Sequence, residues 1–375
     1  MQFSPLMNVT ESATVAINSR ALEKRARGER VYNLSAGEPA LPPHRAIVAA
    51  AKKALDEGKT GYPPVAGVPE LRRMAAQWMN SVHDTQFSWT NTLVTPGGKF
   101  GIFAACQALV EPGDEAVIVA PYWVSYPTIV KLFGGVPVIV QSTESGGWIP
   151  DSADIEAAFT AKTKVVILNS ACNPTGALYS RTLLGKILAA AQKRGIIVIS
   201  DEVYSGLVYE GAFVSCGVFS EYRDSVIVIN SCSKNFAMTG WRVGFFCAPE
   251  ELVKVVTMLL SQSVSGASTV SQYAALGALE HAQEITEEVR DAMRTRRDLF
   301  VVAGLPAAPA GLYSFAPLAS LGATENDSAA FCERLITEKN IAAVPGSAFG
   351  AERYVRFSFG AAEEELKDAL EVLLK

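Results

Sequence analysis

Apolar residues in this chain come in short continuous runs set apart by stretches of helical period. The runs are Thr92–Thr95, Ala116–Val119, Val136–Val140, Lys164–Leu168, Ile196–Ser200, Val226–Ile229 and Gly244–Cys247. Few of them alternate apolar with polar, and continuous runs are how strands buried on both faces read. Helical stretches such as Lys99–Leu109 and Arg181–Lys193 lie between them. Strand and helix in alternation predict an α/β fold with a mostly parallel central sheet and helices on both faces.

The two ends follow a different pattern. A helix is expected over Val15–Arg27, then an extended piece from Val31 to Pro39, then a helix over 44–59 that stops at Gly58. A long helix with a break is expected from Ser271 to Ala303, followed by a last strand at Tyr354–Phe359 and a helix from Ala362. The expected division is a large domain of 41–276 and a smaller α+β domain made of 1–40 and 277–375.

Composition narrows the function classes. Of 375 residues, 49% are hydrophobic and 19% charged, enough apolar material for a well-cored globule. A net charge of −5 with no basic block argues against nucleic acid as a partner. No apolar run is long enough for a membrane span, and the N-terminus does not read as a secretory signal. Six scattered cysteines without a Cys-x-x-Cys pair suit a reducing compartment, so a cytoplasmic location is expected. The histidines, His44, His83 and His281, lie far apart, which speaks against histidine catalysis and a multi-histidine metal site.

Candidate chemistry gathers after the strand-like runs, where ligands of open parallel sheets bind. Lys234 follows Val226–Ile229 in Ser231-Cys232-Ser233-Lys234, and Arg242 comes soon after in Gly240-Trp241-Arg242-Val243-Gly244. A lysine at a strand end is either a solvated loop residue or a desolvated amine able to attack carbonyls. Thr95-Pro96-Gly97-Gly98-Lys99 opens a helix, where two glycines let the backbone approach an anion or simply make a turn. Asp201 is either a helix cap or a counter-charge for a heteroaromatic cation, and Tyr204 either packs or offers a phenol to the same ligand. Asn173, in Asn173-Pro174-Thr175-Gly176, marks a turn or a donor into the crevice, and Trp123 is a packing residue or a stacking platform. Arg356 sits on a solvated face or clamps a carboxylate.

Taken in order, Asn173-Pro174-Thr175-Gly176, Asp201-Glu202-Val203-Tyr204, Ser231-x-Ser233-Lys234 and Gly240-Trp241-Arg242-Val243-Gly244 resemble the class I pyridoxal-phosphate aminotransferases of fold type I. The resemblance runs from Ser12-Ala13-Thr14-Val15 to Arg356-Phe357-Ser358. It is strongest to bacterial aspartate aminotransferases that lack the arginine for the substrate's distal carboxylate. It implies that Lys234 binds pyridoxal 5′-phosphate covalently, that Asp201 pairs with the ring nitrogen, and that Tyr204 and Asn173 bond the ring oxygen. It further implies that Trp123 stacks on the ring and that Gly97, Gly98, Ser231 and Arg242 hold the phosphate. Tyr62 resembles the tyrosine that reaches the neighbouring subunit's phosphate, which implies a homodimer. Arg356 would take the substrate α-carboxylate, aided by Gly37 and Asn173, and Lys99 would favour an acidic side chain.

The implied activity is transfer of an amino group, from aspartate to 2-oxoglutarate, by a ping-pong mechanism. Aromatic or alanine-type aminotransferases and a β-lyase share the cofactor residues and remain the alternatives. Relatives that also use prephenate carry a basic residue shortly before Ser-Ala-Thr-Val. Thr10 and Glu11 stand there instead, which weakens that activity.

Overall fold

The structure, a computed structural model, describes residues 12–323 and 326–375. Its centre is a seven-stranded sheet, in the order Thr92–Thr95, Gly244–Cys247, Val226–Ser231, Ile197–Asp201, Thr163–Asn169, Glu115–Ala120 and Val136–Gln141. Every pairing is parallel except the two made by Gly244–Cys247, which runs against both its neighbours. All seven runs expected from the sequence are strands of this sheet.

The unbroken apolar runs have a direct structural cause. Along Glu115–Ala120, Val117 and Val119 enter one core cluster while Ala116 and Ile118 enter another. Val166 and Leu168 likewise part from Val165 and Ile167, and Val228 from Ile227 and Ile229. Successive side chains point to opposite faces, so a strand covered on both sides needs an apolar residue at every position. Leu71, Trp78, Leu184 and Leu188, on the helices Pro69–His83 and Arg181–Gln192, cover one face. Ile102, Ile129, Val253 and Leu260, on Gly98–Leu109, Ser125–Leu132 and Glu250–Ser261, cover the other.

The chain ends meet in a second layer. Tyr32–Asn33 pairs in parallel with Ile341–Ala342, and Leu34 accepts a hydrogen bond from Ser358 N–H at 2.7 Å. Tyr354–Ser358 lies antiparallel between Tyr313–Pro317 and Val344–Pro345. The long helix expected from Ser271 is two helices, Thr269–Glu280 and Ala282–Val302, broken at His281. The first helix spans Ala13–Ala26; Thr10 and Glu11 lie outside the described residues. The helices Pro69–His83, Glu250–Ser261 and Ser328–Glu338 and the strand Tyr313–Pro317 were not anticipated.

All six cysteines are free and buried. Among the described residues no helix is long and apolar enough to cross a membrane. The histidines are less scattered than their sequence positions suggest. The rings of His44 and His281 come within 6.1 Å, and His44 shares a small cluster with Glu284 and Glu288.

Candidate active site

The carboxyl ends of the parallel strands and the start of the antiparallel one face a cavity of about 580 Å³. Gly37, Gly98, Lys99, Trp123, Asn173, Asp201, Tyr204, Ser231, Lys234, Arg242 and Arg356 all line it. Residues far apart in the chain thus converge as the sequence suggested. Gly97 lies just behind this wall. Tyr62 does not line the cavity: it is 95% exposed, on a loop tethered by Thr269 Oγ1 donating to the Gly61 carbonyl.

Asp201 ends its strand in full burial. Tyr126 Oη donates to its Oδ2 at 2.6 Å, and Asn169 Nδ2 donates to its backbone carbonyl at 2.8 Å. Burial pushes the carboxyl up to about 6, opposed by the bonds from Tyr126 and Val203 N–H. A buried carboxylate in that position favours a cation beside it.

Lys234 leaves the strand Val226–Ser231 through a short helical turn, Cys232–Asn235, and is partly buried. Its Nζ donates to the Gly37 carbonyl. Burial lowers the amine to about 8; Glu38 opposes the shift, while Arg356 and Arg242 add to it. The desolvated amine, rather than a solvated loop lysine, is what the structure shows.

Three features form an anion cradle. Gly97, at φ +82°, caps the helix Gly98–Leu109, whose first amides have no partner within the helix. Arg242 also lies in the left-handed region, at φ +56°, and a Cβ on Gly97 would meet its Nη2 at 2.5 Å. The guanidinium therefore packs directly on the glycine. Ser231 and Ser233 complete the cradle, their hydroxyls 2.9 Å apart.

Arg356 is 1% exposed, so it is not on a solvated face. Its Nη1 donates to Asn173 Oδ1 at 3.1 Å and its Nη2 to the Ser35 carbonyl at 2.7 Å, while its buried Nε has no partner among the described residues. The guanidinium lies 4.1 Å from the centre of the Tyr313 ring and 5.0 Å from that of Phe349. An orphaned charged donor at a cavity wall is costly unless an anion joins it. Lys99 Nζ sits 4.9 Å over the Trp123 ring, and partial enclosure together with the charge of Arg242 lowers its pKa.

Several residues at this site were not singled out from the sequence. Tyr126 lies one helical turn beyond Trp123 in a stretch already rich in aromatics, and the phenol spacing could have pointed to it. Asn169 holds both Asp201 and the Asn173 N–H, the latter by a bond of 2.8 Å. Tyr313 touches Tyr204 through hydroxyls 2.7 Å apart. Nothing local in Gly311-Leu312-Tyr313-Ser314 marks it, because its role depends on a partner from another layer.

Residues 29–373 match the family model for aminotransferase class I and II. The aspartate/prephenate aminotransferase of Thermus thermophilus is 39% identical over 96% of this chain and 94% of its own length. The aspartate aminotransferase of Bacillus sp. strain YM-2 is 35% identical over 97% and 95%. A solved structure of aspartate aminotransferase from Thermus thermophilus with maleate superposes with a TM-score of 0.94. It is 37% identical, and the match covers 100% of this chain and 99% of that one. Full-length matches at this level, on a mostly parallel sheet whose strand ends bring the lysine and aspartate to a cavity that Arg242 and Arg356 also line, show that the chain belongs to the class I and II aminotransferases.

Proposed function

We propose that this aminotransferase works with pyridoxal 5′-phosphate and moves the amino group of aspartate to 2-oxoglutarate in two half-reactions. The observation that carries the reading is one cavity with an amine of lowered pKa, a buried carboxylate and two arginines on its walls. The residues fit the cofactor. The cradle of Gly97, Gly98, Ser231 and Arg242 suits a phosphate, Asp201 suits a protonated ring nitrogen, and Trp123 offers a ring face. When bound, pyridoxal phosphate supplies an electron sink for cleavage of a bond at the amino acid's α-carbon.

The chain's own groups do the rest. Arg356 binds the substrate α-carboxylate, using the unpartnered Nε and the edge now turned to Asn173 and Ser35. Lys234 anchors the cofactor and, once released, takes the α-proton at Nζ; an amine near 8 is an effective base at neutral pH. Asp201 keeps the ring nitrogen protonated, and Tyr204 and Asn173 donate to the ring oxygen. Gly37 contributes its backbone beside the α-carboxylate.

Aspartate is favoured by Lys99 at the cavity wall. It is also favoured by relatives named for aspartate and by a Thermus neighbour solved with maleate, a dicarboxylate. The Thermus relative's name also includes prephenate, so prephenate belongs among the acceptors tested. We also propose a homodimer in which Tyr62 enters the neighbouring site. Its near-complete exposure supports this, as does an open groove lined by Val65, Trp89 and Met258 close to the same loop. The division into 41–276 and 1–40 with 277–375 is likewise proposed, supported by pairing of Tyr32–Asn33 with Ile341–Ala342. Six buried free thiols support a reducing, cytoplasmic setting.

The test is the visible spectrum of the purified protein before and after adding L-aspartate without an oxo acid. A yellow band that shifts with aspartate supports the proposal. A band moved only by alanine, tyrosine or a β-substituted amino acid redirects the substrate, and no band after adding pyridoxal phosphate overturns the reading.

A further inference from the structure

Tyr313 lies at a junction that the proposed mechanism leaves unexplained. It opens the strand Tyr313–Pro317, paired with Ser358, and is 2% exposed. Its hydroxyl is 2.7 Å from that of Tyr204, and the two rings meet edge to face at 5.9 Å. Its ring face carries the Arg356 guanidinium at 4.1 Å. Its hydroxyl also presses on Gly37, where a Cβ would meet the oxygen at 2.1 Å. That glycine's carbonyl in turn accepts from Lys234.

Two phenols that share one hydrogen bond hold two protons, and only one lies between them. Whichever oxygen accepts keeps its own proton for another partner. Both phenols line the cavity, but the Tyr313 oxygen is pressed against Gly37, whereas Tyr204 stands three residues beyond Asp201, on the ring-nitrogen side of the crevice. Donation from Tyr313 to Tyr204 is the arrangement that frees the Tyr204 proton for a ligand. A hydroxyl that accepts a bond while donating one is a stronger donor, because chained hydrogen bonds polarise each other.

We propose that Tyr313 is a positioning residue that donates to Tyr204 and so strengthens the bond from Tyr204 to the cofactor's ring oxygen. Tyr313 also seats Arg356 through its ring face, so one side chain supports the ring-oxygen donor and the carboxylate clamp together. The two supports are chemically separable, since the first needs the hydroxyl and the second only the ring. The inference rests on the proposed cofactor.

The test is a visible-absorbance pH titration of the holoenzyme without substrate. A donor to the ring oxygen draws electron density from it and lowers the pH at which the bound cofactor gives up its proton. Tyr313→Phe removes the hydroxyl and keeps the ring, so the midpoint should rise by about half to one pH unit, with KM for aspartate little changed. Tyr204→Phe should raise it further, and adding Tyr313→Phe to Tyr204→Phe should move it no more. An unmoved midpoint in Tyr313→Phe, or additive shifts in the double variant, overturns the inference while leaving the cofactor reading intact. A wild-type protein with no visible band overturns both.

Discussion

Asp201 makes the cofactor-free protein pay for its own active site, and the cost is measurable through pH. Burial raises its carboxyl from 3.8 to about 6 in the folded chain. An acid whose folded pKa lies above its unfolded value takes up a proton on folding. Its stabilising contribution is full below about pH 4 and is lost as pH rises through about 6. A gap of about two pH units corresponds to roughly 3 kcal/mol, of which roughly half is lost between pH 5 and pH 8. Asp201→Asn removes the charge, and its one oxygen can keep the Val203 N–H while its amide donates to the Tyr126 hydroxyl. The cofactor-free variant should therefore outlast wild type at pH 8, by an amount on the order of 1–3 kcal/mol, with a smaller difference at pH 5. Loading with pyridoxal phosphate should reverse the order, because the ring nitrogen then loses its counter-charge. Equilibrium urea denaturation of both proteins at the two pH values, with and without cofactor, reads this directly. If the unloaded variant is no more stable than wild type at pH 8, the buried charge is not the liability inferred here.

Arg356→Lys replaces a fork of donors by a point charge and empties the space against Tyr313. It should raise KM for both substrates about 10- to 100-fold, as loss of a charged hydrogen bond implies, in steady-state assays. Gly97→Ala places a methyl group at 2.5 Å from Arg242 Nη2 and forces alanine to φ +82°. Cofactor affinity should fall at least about tenfold, the size of the strain for a side chain in a backbone region taken almost only by glycine, as read by fluorescence titration with pyridoxal phosphate. Lys99→Ala should lower kcat/KM for aspartate by roughly tenfold or more while sparing alanine; equal losses on both substrates would assign Lys99 to the phosphate rather than to specificity.

Most of the sheet was legible because its physical cause is local. A strand buried on two faces must be apolar at consecutive positions, and Val165–Leu168 or Val226–Ile229 say so without help from the rest of the chain. The strand Tyr313–Pro317 escaped notice because it is brief, carries a serine and ends in proline. Its partners, Tyr354–Ser358, supply the pattern that its own residues lack. The candidate site divides in the same way. Lys234 and Asp201 stand out by their place at or just after strand ends, Arg242 by its place in the glycine-flanked run before Gly244–Cys247, and Asn173 by its turn. Whether Arg356 faced solvent or a cavity could not be read from a strand, since that depends on Ser35, Asn173, Tyr313 and Phe349 converging from elsewhere. Tyr126 could have been suspected from its place beside Trp123, but the Tyr313 hydroxyl meets Tyr204 from a distant segment, so no spacing rule reaches it.

The single reversed strand, Gly244–Cys247, fixes the length of the segment before it. Because it runs against Val226–Ser231, the chain leaves one strand and enters the next at the same end of the sheet, with Ser231 opposite Gly244 and Cys232 N–H bonded to the Val243 carbonyl at 3.1 Å. The closed loop of 232–243 holds both the amine that anchors a carbonyl ligand and the guanidinium that grips an anion. Inserted residues there would lengthen the span between anchor and grip without freeing either end. Exposed turns such as Gly113 or Gly195, where a Cβ meets open space, are the places where this scaffold can accept a grafted peptide or a new chain terminus.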